Sequence, residues 1–155
     1  MNAETAGIGD IYALTEMRLA YLNEDSGPLG GQEADSVRKA LPGYFTAHLG
    51  RDLFAYVVRE DGGIVSCAFL LVVEKPMSPS FPNGRTGTVL NVYTRQEYRR
   101  KGLAGAVMRK LTADAKEMDL SVVELKATQA GIPLYLSVGF TDSGSKYLPM
   151  KWENR

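Results

Sequence analysis

The chain has 155 residues, of which 45% are hydrophobic and 23% are charged, and 18 basic residues balance 18 acidic ones. This composition is typical of a soluble globular protein and excludes a disordered tail or a fibrous repeat. A net charge of zero provides no overall field for nucleic acid or an anionic membrane, so we expect neither as a partner. The length predicts a single domain, residues 1–155.

The cysteine and histidine content limits the chemistry further. Cys67 is the only cysteine, which excludes an internal disulfide and a multi-cysteine zinc site. Its apolar context, GIVSCAFLL, indicates a small core residue rather than a nucleophile. His48 is the only histidine, so we expect no metal site. The sequence MNAETAGIGD lacks the features of a signal peptide, and the expected location is the cytoplasm.

Two helices are predicted in the first third of the chain. Apolar residues recur at helical spacing over Ile11 to Leu22, with Asp10 as a candidate N-cap. The polar, glycine-rich stretch NEDSGPLGGQ is expected to end this helix. A second helix is predicted over Glu33 to Leu49, in which Pro42 should introduce a kink or a break.

Three strands are predicted next. The runs DLFAYVVRE and GIVSCAFLLVVEK are rich in β-branched and aromatic residues, and the DGG between them is a strong hairpin signal. A loop rich in proline, serine and glycine, KPMSPSFPNGRTG, leads to the third run, TVLNVYT. An antiparallel meander is the simplest arrangement of these strands.

Shorter elements fill the rest of the chain. After Arg99 one apolar stripe predicts a helix, and its members are Leu103, Val107, Met108, Leu111, Ala115 and Met118. SVVELKA then predicts a strand, GIPLYLSVGF a short helix, and KYLPMKW a closing strand interrupted by Pro149. Tyr147 and Trp152 are expected to pack or to support a subunit interface, which leaves a homodimer open. The element order predicts an α+β fold.

The junction RRKGLAGAV lies where a strand is expected to give way to a helix. The first N–H groups of a helix have no internal partner and favour a phosphate on the helix axis. Small residues let a diphosphate approach the backbone, and cations at the rim attract it. These residues are Arg99, Arg100, Lys101, Gly102, Ala104 and Gly105. The alternative is a solvated basic helix start whose small residues serve helix packing.

Two familiar phosphate motifs do not fit this junction. A P-loop requires G-x-x-x-x-G-K-[ST], which the chain lacks. A dinucleotide-binding fold requires G-x-G-x-x-G with an acidic residue further along. Glu124 lies near that distance, but only Gly102 and Gly105 are present and the preceding strands are expected to be antiparallel.

Two blocks of sequence point to a family. Arg99-x-x-Gly102-x-Ala104 resembles the R/Q-x-x-G-x-G/A signature of the GCN5-related N-acetyltransferases, and the block PLYLSVGF, residues 133–140, resembles the family's LYxxxGF segment. The resemblance implies a mixed α/β domain with a central, mostly antiparallel sheet whose middle strands splay apart, flanked by helices. It also implies an acyltransferase that uses acetyl-CoA as co-substrate and needs no metal.

The resemblance implies a binding site for acetyl-CoA. In the family, pantetheine lies between the strand before the signature, here Thr88 to Thr94, and its neighbour, here Ser121 to Ala127. Carried over, Val92, Tyr93 and Thr94 would contact the pantetheine arm, and the Val92 N–H would donate to the thioester oxygen. The pyrophosphate would lie against Arg99, Arg100, Lys101, Gly102, Leu103, Ala104 and Gly105.

Two catalytic residues follow from the same resemblance. Tyr135 stands where the family has a general acid that protonates the departing thiolate; the alternative is a half-buried tyrosine with a packing role. Glu124 resembles a strand glutamate that takes the amine proton, often through water. The alternative for Glu124 is an outward side chain paired with Lys126 or Arg109. The implied reaction is direct attack of a primary amine, from a small molecule or a peptide, in a ternary complex.

Some positions depart from the family pattern. Thr128 stands where many members have an asparagine that contacts CoA, Gln96 stands where a proline is common, and MNAETAGIGD contains no clear first strand. These departures leave the expected acetyl-CoA co-substrate standing and weaken the finer contacts. Two other functions stay open: a CoA-binding sensor or interaction module without turnover, and a structural domain whose basic junction binds nothing.

The acceptor amine is expected to be selected by two loops, NEDSGPLGGQEAD and EKPMSPSFPNGR. Their acidic residues would attract a cationic amine, although acids in loops are commonly just solvated. These residues are Asp25, Glu33, Asp35 and Glu74.

Overall fold

The computed structural model describes residues 2–154. A five-stranded sheet in the order β1-β2-β3-β4-β5 runs through it. The first four strands pair antiparallel and β4 pairs parallel with β5. The strands are β1 Glu4–Thr5, β2 Leu53–Glu60, β3 Gly63–Glu74, β4 Arg85–Thr94 and β5 Val122–Glu124.

Helices cover both faces of the sheet. They are α1 Ile11–Ser26, α2 Gly31–His48, α3 Leu103–Glu117 and α4 Ile132–Ser137. Leu14 of α1 and Phe45 of α2 belong to one buried apolar cluster, whereas Met108 and Leu111 of α3 belong to a second cluster on the opposite face. The predicted α+β class, with a mostly antiparallel sheet flanked by helices, is confirmed.

The predicted meander is present from β2 to β4. Asp61 and Gly62 join β2 to β3 with φ of +52° and +78°, the pair of left-handed conformations that a two-residue hairpin turn requires. Only two residues form β1, and they pair with Tyr56 and Val57 at the edge of the sheet. The first strand is therefore short, which explains why its pattern is hard to find.

The ends of the first two helices differ from the prediction. The NEDS part of the expected loop continues α1 to Ser26. Asp10 stands at the N-cap position, but its carboxylate accepts hydrogen bonds from Arg59 and from the Gly7 N–H instead of capping α1. Pro42 lies inside α2 without dividing it, because the turns around it are held by packing of Leu41 and Phe45 on the core.

The two strands predicted after α3 differ most from the structure. Val122–Glu124 is all of β5, shorter than the expected Ser121 to Ala127. The closing strand KYLPMKW is absent from the described chain, where every residue from 141 to 154 is exposed. Phe140 is the last residue that packs on the core, and the chain leaves the domain after it. Tyr147 and Trp152, 75% and 84% exposed, do not pack within the chain.

No helix in residues 2–154 has both the length and the apolar character needed to cross a membrane.

Candidate active site

A cleft opens where β4 and β5 separate. The two strands pair only between residues 86–88 and residues 122–124, after which β4 continues to Thr94. The cavity beyond this point measures about 650 Å³. Its walls are residues 88–93 of β4, residues 124–126, part of α1, and Tyr135 of α4. The expected splay of the middle strands is therefore present, and the cavity follows from it.

A β-bulge shapes the β4 wall of the cavity. Leu90 pairs with Phe69 and Tyr93 pairs with Cys67, so β4 has one more residue than β3 over this interval. Asn91 has a φ of +56° at the bulge, and asparagine tolerates this left-handed conformation better than most residues. Bulges re-aim the neighbouring backbone, and Val92 lines the cavity directly after this one.

Cys67 lies behind the bulge, in contact with Asn91. It is fully buried, and this burial raises the pKa of its thiol to about 12. The Asn91 side-chain amide donates to its sulfur at 3.6 Å. The full burial of Cys67 within the first apolar cluster confirms the prediction of a core residue.

Tyr135 is packed into the α4 wall. Its ring packs edge-on against Phe140, with 6.1 Å between the ring centroids. A Cβ on Gly131 would come within 2.9 Å of the same ring, so the glycine permits this close packing. Burial, and secondarily the neighbouring Tyr21, raises the pKa of the Tyr135 phenol. The phenol therefore carries its proton at neutral pH, as a proton donor must.

Glu124 ends β5 at the mouth of the cavity. Its neighbours Val123 and Leu125 pack on the core, whereas Glu124 is exposed and lines the cavity. Within the part of the chain that the structure describes, it forms no ion pair with Lys126 or Arg109. The alternative role as the acidic partner of either cation is therefore not observed.

The signature junction forms the turn into α3. Gly102 has a φ of +78° and is the residue directly before the first helical residue, Leu103. Leu103 and Gly105 are buried, so what this helix start offers to an anion is backbone N–H rather than side chains. The left-handed turn at Gly102 gives that backbone its direction.

Arg99 has internal partners in the structure. Its Nη2 lies 2.7 and 2.9 Å from the two carboxylate oxygens of Glu24, and its Nε donates to the Thr94 carbonyl at 2.8 Å. The guanidinium also lies 5.5 Å from the centroid of the Tyr93 ring. Arg99 thus joins α1 to the end of β4.

The other two cations of the signature stand at the rim. Arg100 and Lys101 are both exposed, and the Lys101 ammonium lies 5.3 Å from the centre of the Tyr98 ring. Arg100 has a φ of +64°, so the chain turns sharply here before α3. These two side chains provide the positive charge beside the helix start.

The acids expected to select the acceptor separate into two groups. Asp25 lines the cavity. Glu33 accepts a hydrogen bond from the Gly30 N–H at the start of α2, and Glu74 pairs with Arg85 at 3.7 Å. Neither of these two acids nor Asp35 lines the cavity. Thr128, which stands in place of the family's asparagine, lines the cavity and accepts from the Gly131 N–H.

Sequence reasoning missed the α1 wall of the cleft. Arg18, Tyr21 and Glu24 all line the cavity, one helical turn apart. Their spacing of three residues, which places polar side chains on one face of the helix, was the available signal. No cluster of three or more metal-ligating side chains occurs among residues 2–154.

Comparison with known proteins agrees with this architecture. A family model described as "Acetyltransferase (GNAT) family" matches residues 14–140. A predicted acetyltransferase with acetyl-CoA from Clostridium acetobutylicum is 27% identical, with a TM-score of 0.82 over 97% of this chain and 95% of the other. A GCN5-related N-acetyltransferase from Ralstonia eutropha is 25% identical, with a TM-score of 0.73 over 96% and 97%.

Glucosamine-6-phosphate N-acetyltransferase from Arabidopsis thaliana, 19% identical with a TM-score of 0.71 over 98% and 97% of the two chains, shares the fold. No curated protein sequence matches this one significantly. The family model covers most of the chain, and the cleft lies where the strands of the fold separate. The chain belongs to the GNAT family of acetyltransferases.

Proposed function

We propose that this protein transfers the acetyl group of acetyl-CoA to a primary amine of a small molecule or a peptide, by direct attack in a ternary complex. One observation carries the proposal: the cleft between β4 and β5 has the bulged backbone of Val92 on one wall and the protonated phenol of Tyr135 on another. The two groups needed at opposite ends of a breaking thioester therefore border one cavity.

The residues present suit the diphosphate of the co-substrate. The backbone at Gly102 to Gly105 supplies N–H groups at the positive end of α3, a helix of 15 residues. Arg100 and Lys101 add charge from the rim, and Arg99 positions the loop through Glu24. Val92 and Tyr93 line the cavity beside the expected pantetheine path, and Thr94 ends the strand.

The proposed chemistry needs three groups of this chain. The bound thioester supplies an activated acetyl group; the amine nitrogen bonds to its carbonyl carbon while the carbon–sulfur bond breaks. The Val92 N–H donates to the carbonyl oxygen as negative charge develops there. Tyr135 gives its proton to the departing sulfur, and Glu124, directly or through a water, accepts the proton that the amine loses.

Two linked measurements test the proposal. Acetyl-CoA at 100 times its dissociation constant should stabilise the protein by about 2.7 kcal/mol, seen as a rise in melting temperature. A panel of small amines and short peptides should then release free CoA thiol together with an equal amount of acetylated amine. Stabilisation without transfer to any amine would instead indicate a CoA-binding sensor or interaction module. No stabilisation at millimolar acetyl-CoA would contradict both functions.

A further inference from the structure

Arg18 is fixed in the α1 wall of the cleft by two neighbours. Its Nη1 donates to the Asn91 side-chain oxygen at 3.1 Å, and its guanidinium carbon lies 5.7 Å from the centre of the Tyr21 ring. Asn91 is itself buried in the β4 bulge and also bonded to Cys67, so it cannot easily turn away. The guanidinium therefore has a defined position in the cavity.

The fixed guanidinium has no anionic partner in the described residues 2–154. Asn91 engages Nη1, and the edge formed by Nε and Nη2 makes no hydrogen bond there. That edge is the one that binds a carboxylate with two parallel hydrogen bonds. Glu24, an acid on the same wall, is already bonded to Arg99. Asp25, which also lines the cavity, forms no ion pair with Arg18 in the described residues.

An acceptor that fills the cavity comes into contact with the positively charged guanidinium of Arg18. A bound molecule displaces water from Arg18, and an unpaired desolvated charge is costly. Asp25 and Glu124 in the cavity wall can attract an ammonium group, but Arg18 itself repels one. An acceptor with its own carboxylate would instead pair with Arg18 while its amine faces the side of the cavity that carries Glu124 and Tyr135.

We propose that the acceptor is an amine that also carries a carboxylate, such as an amino acid, and that Arg18 binds this carboxylate. The inference rests on the proposed acetyltransferase function. Arg18 is here a specificity-determining residue rather than a catalytic one, since its predicted contact is with a group that does not react.

The test compares acceptors that differ only in the carboxylate. Free α-amino acids and the series glycine, β-alanine and γ-aminobutyrate are each assayed beside the corresponding carboxamide, by release of CoA thiol. The wild type should prefer the carboxylates, and Arg18→Gln should lower kcat/KM for them by about 10- to 100-fold while changing the carboxamides little. Arg18→Lys should recover only part of the loss, and Arg51→Gln, an exposed arginine outside this cavity, should match the wild type.

A binding measurement separates failure of this inference from failure of the acetyltransferase proposal. With acetyl-CoA present, the preferred carboxylate should raise the melting temperature of the wild type and not of Arg18→Gln, even where turnover is slow. Acetylation of carboxamides as efficiently as carboxylates would overturn the role of Arg18 and leave acetyl transfer standing. Absence of both turnover and carboxylate-dependent stabilisation would overturn the role of Arg18 as well.

Discussion

The carboxylate of Glu24 near the end of α1 accepts hydrogen bonds from Arg99 at 2.7 and 2.9 Å, and so ties the α1 wall of the cleft to the loop that starts α3. Arg99 holds the pKa of Glu24 below its usual value, chiefly through this hydrogen bond. The pair joins the α1 wall of the cleft to the expected diphosphate site. The expected contact of Arg99 with the diphosphate stays a prediction, and the structure adds its contact with Glu24.

A double-mutant cycle tests this coupling. Glu24→Gln and Arg99→Gln should each weaken acetyl-CoA binding about fivefold, since charge-assisted hydrogen bonds of this kind are worth on the order of 1 kcal/mol when partly exposed. The double variant should bind no more weakly than either single one, as measured by calorimetric titration. Additive losses would show that Arg99 contacts the diphosphate independently of Glu24.

Alanine substitutions at two glycines should change the free energy of unfolding in opposite directions. Gly102→Ala places a side chain at a φ of +78° and should cost about 1 kcal/mol of unfolding free energy, with weaker acetyl-CoA binding. Gly43→Ala, inside α2 with open space around its Cβ, should stabilise the protein by about 0.5 to 1 kcal/mol. Denaturant unfolding measures both; equal effects would refute the conformational argument.

Asp10 predicts a pH dependence of stability. Arg59 hydrogen bonds, at 2.7 and 2.9 Å, are the largest cause that holds the pKa of Asp10 below its ordinary 3.8. Because the folded-state pKa is the lower one, this stabilisation is complete above pH 3.8 and is lost as the pH falls through the folded-state value. Asp10→Asn should therefore cost about 1 kcal/mol at pH 7 and progressively less in acid.

Chemical unfolding of wild type and variant from pH 7 downward checks this sign. Asp142→Asn, at an exposed loop position, serves as control and should leave the stability unchanged at every pH. A wild-type advantage that grows as the pH falls would contradict the assigned contact.

Substitution of Glu124 should lower the rate of acetyl transfer without unfolding the protein. Glu124→Gln removes the proposed proton acceptor and should lower kcat at least about tenfold, with acetyl-CoA affinity unchanged. Glu117→Gln, an exposed glutamate near the end of α3, is the matched control and should keep the wild-type rate. Equal rates for the two variants would show that Glu124 does not accept the amine proton.

Local patterns predicted local structure well. The DGG hairpin and the apolar stripe of α3 were predictable because the sequence signals that mark them, a turn and a helical repeat, lie within short stretches of chain. The start of α2 was placed two residues late, because Glu33 reaches back to the Gly30 N–H at the helix start. The strand β5 was placed too long, since its length depends on where β4 diverges from it.

Only the parts of the site that belong to a sequence motif could be predicted. The signature at Gly102 and the block around Tyr135 led to two walls of the cleft. Arg18 was missed because its partner Asn91 lies 73 residues away, and only the folded bulge brings the two together. The closing strand KYLPMKW was predicted from its alternating pattern, but alternation alone does not provide the partner strand with which it would have to pair.

Tyr135→Phe provides the most direct test of the central claim, because it keeps the ring and its packing on Phe140 and removes only the proton. With a transferable amine at saturation, kcat should fall about a hundredfold while the acetyl-CoA dissociation constant stays the same. Tyr12→Phe, at an exposed tyrosine of α1, should show no change. An unchanged kcat for Tyr135→Phe would contradict the proposed acid role and, with it, this account of how the cleft works.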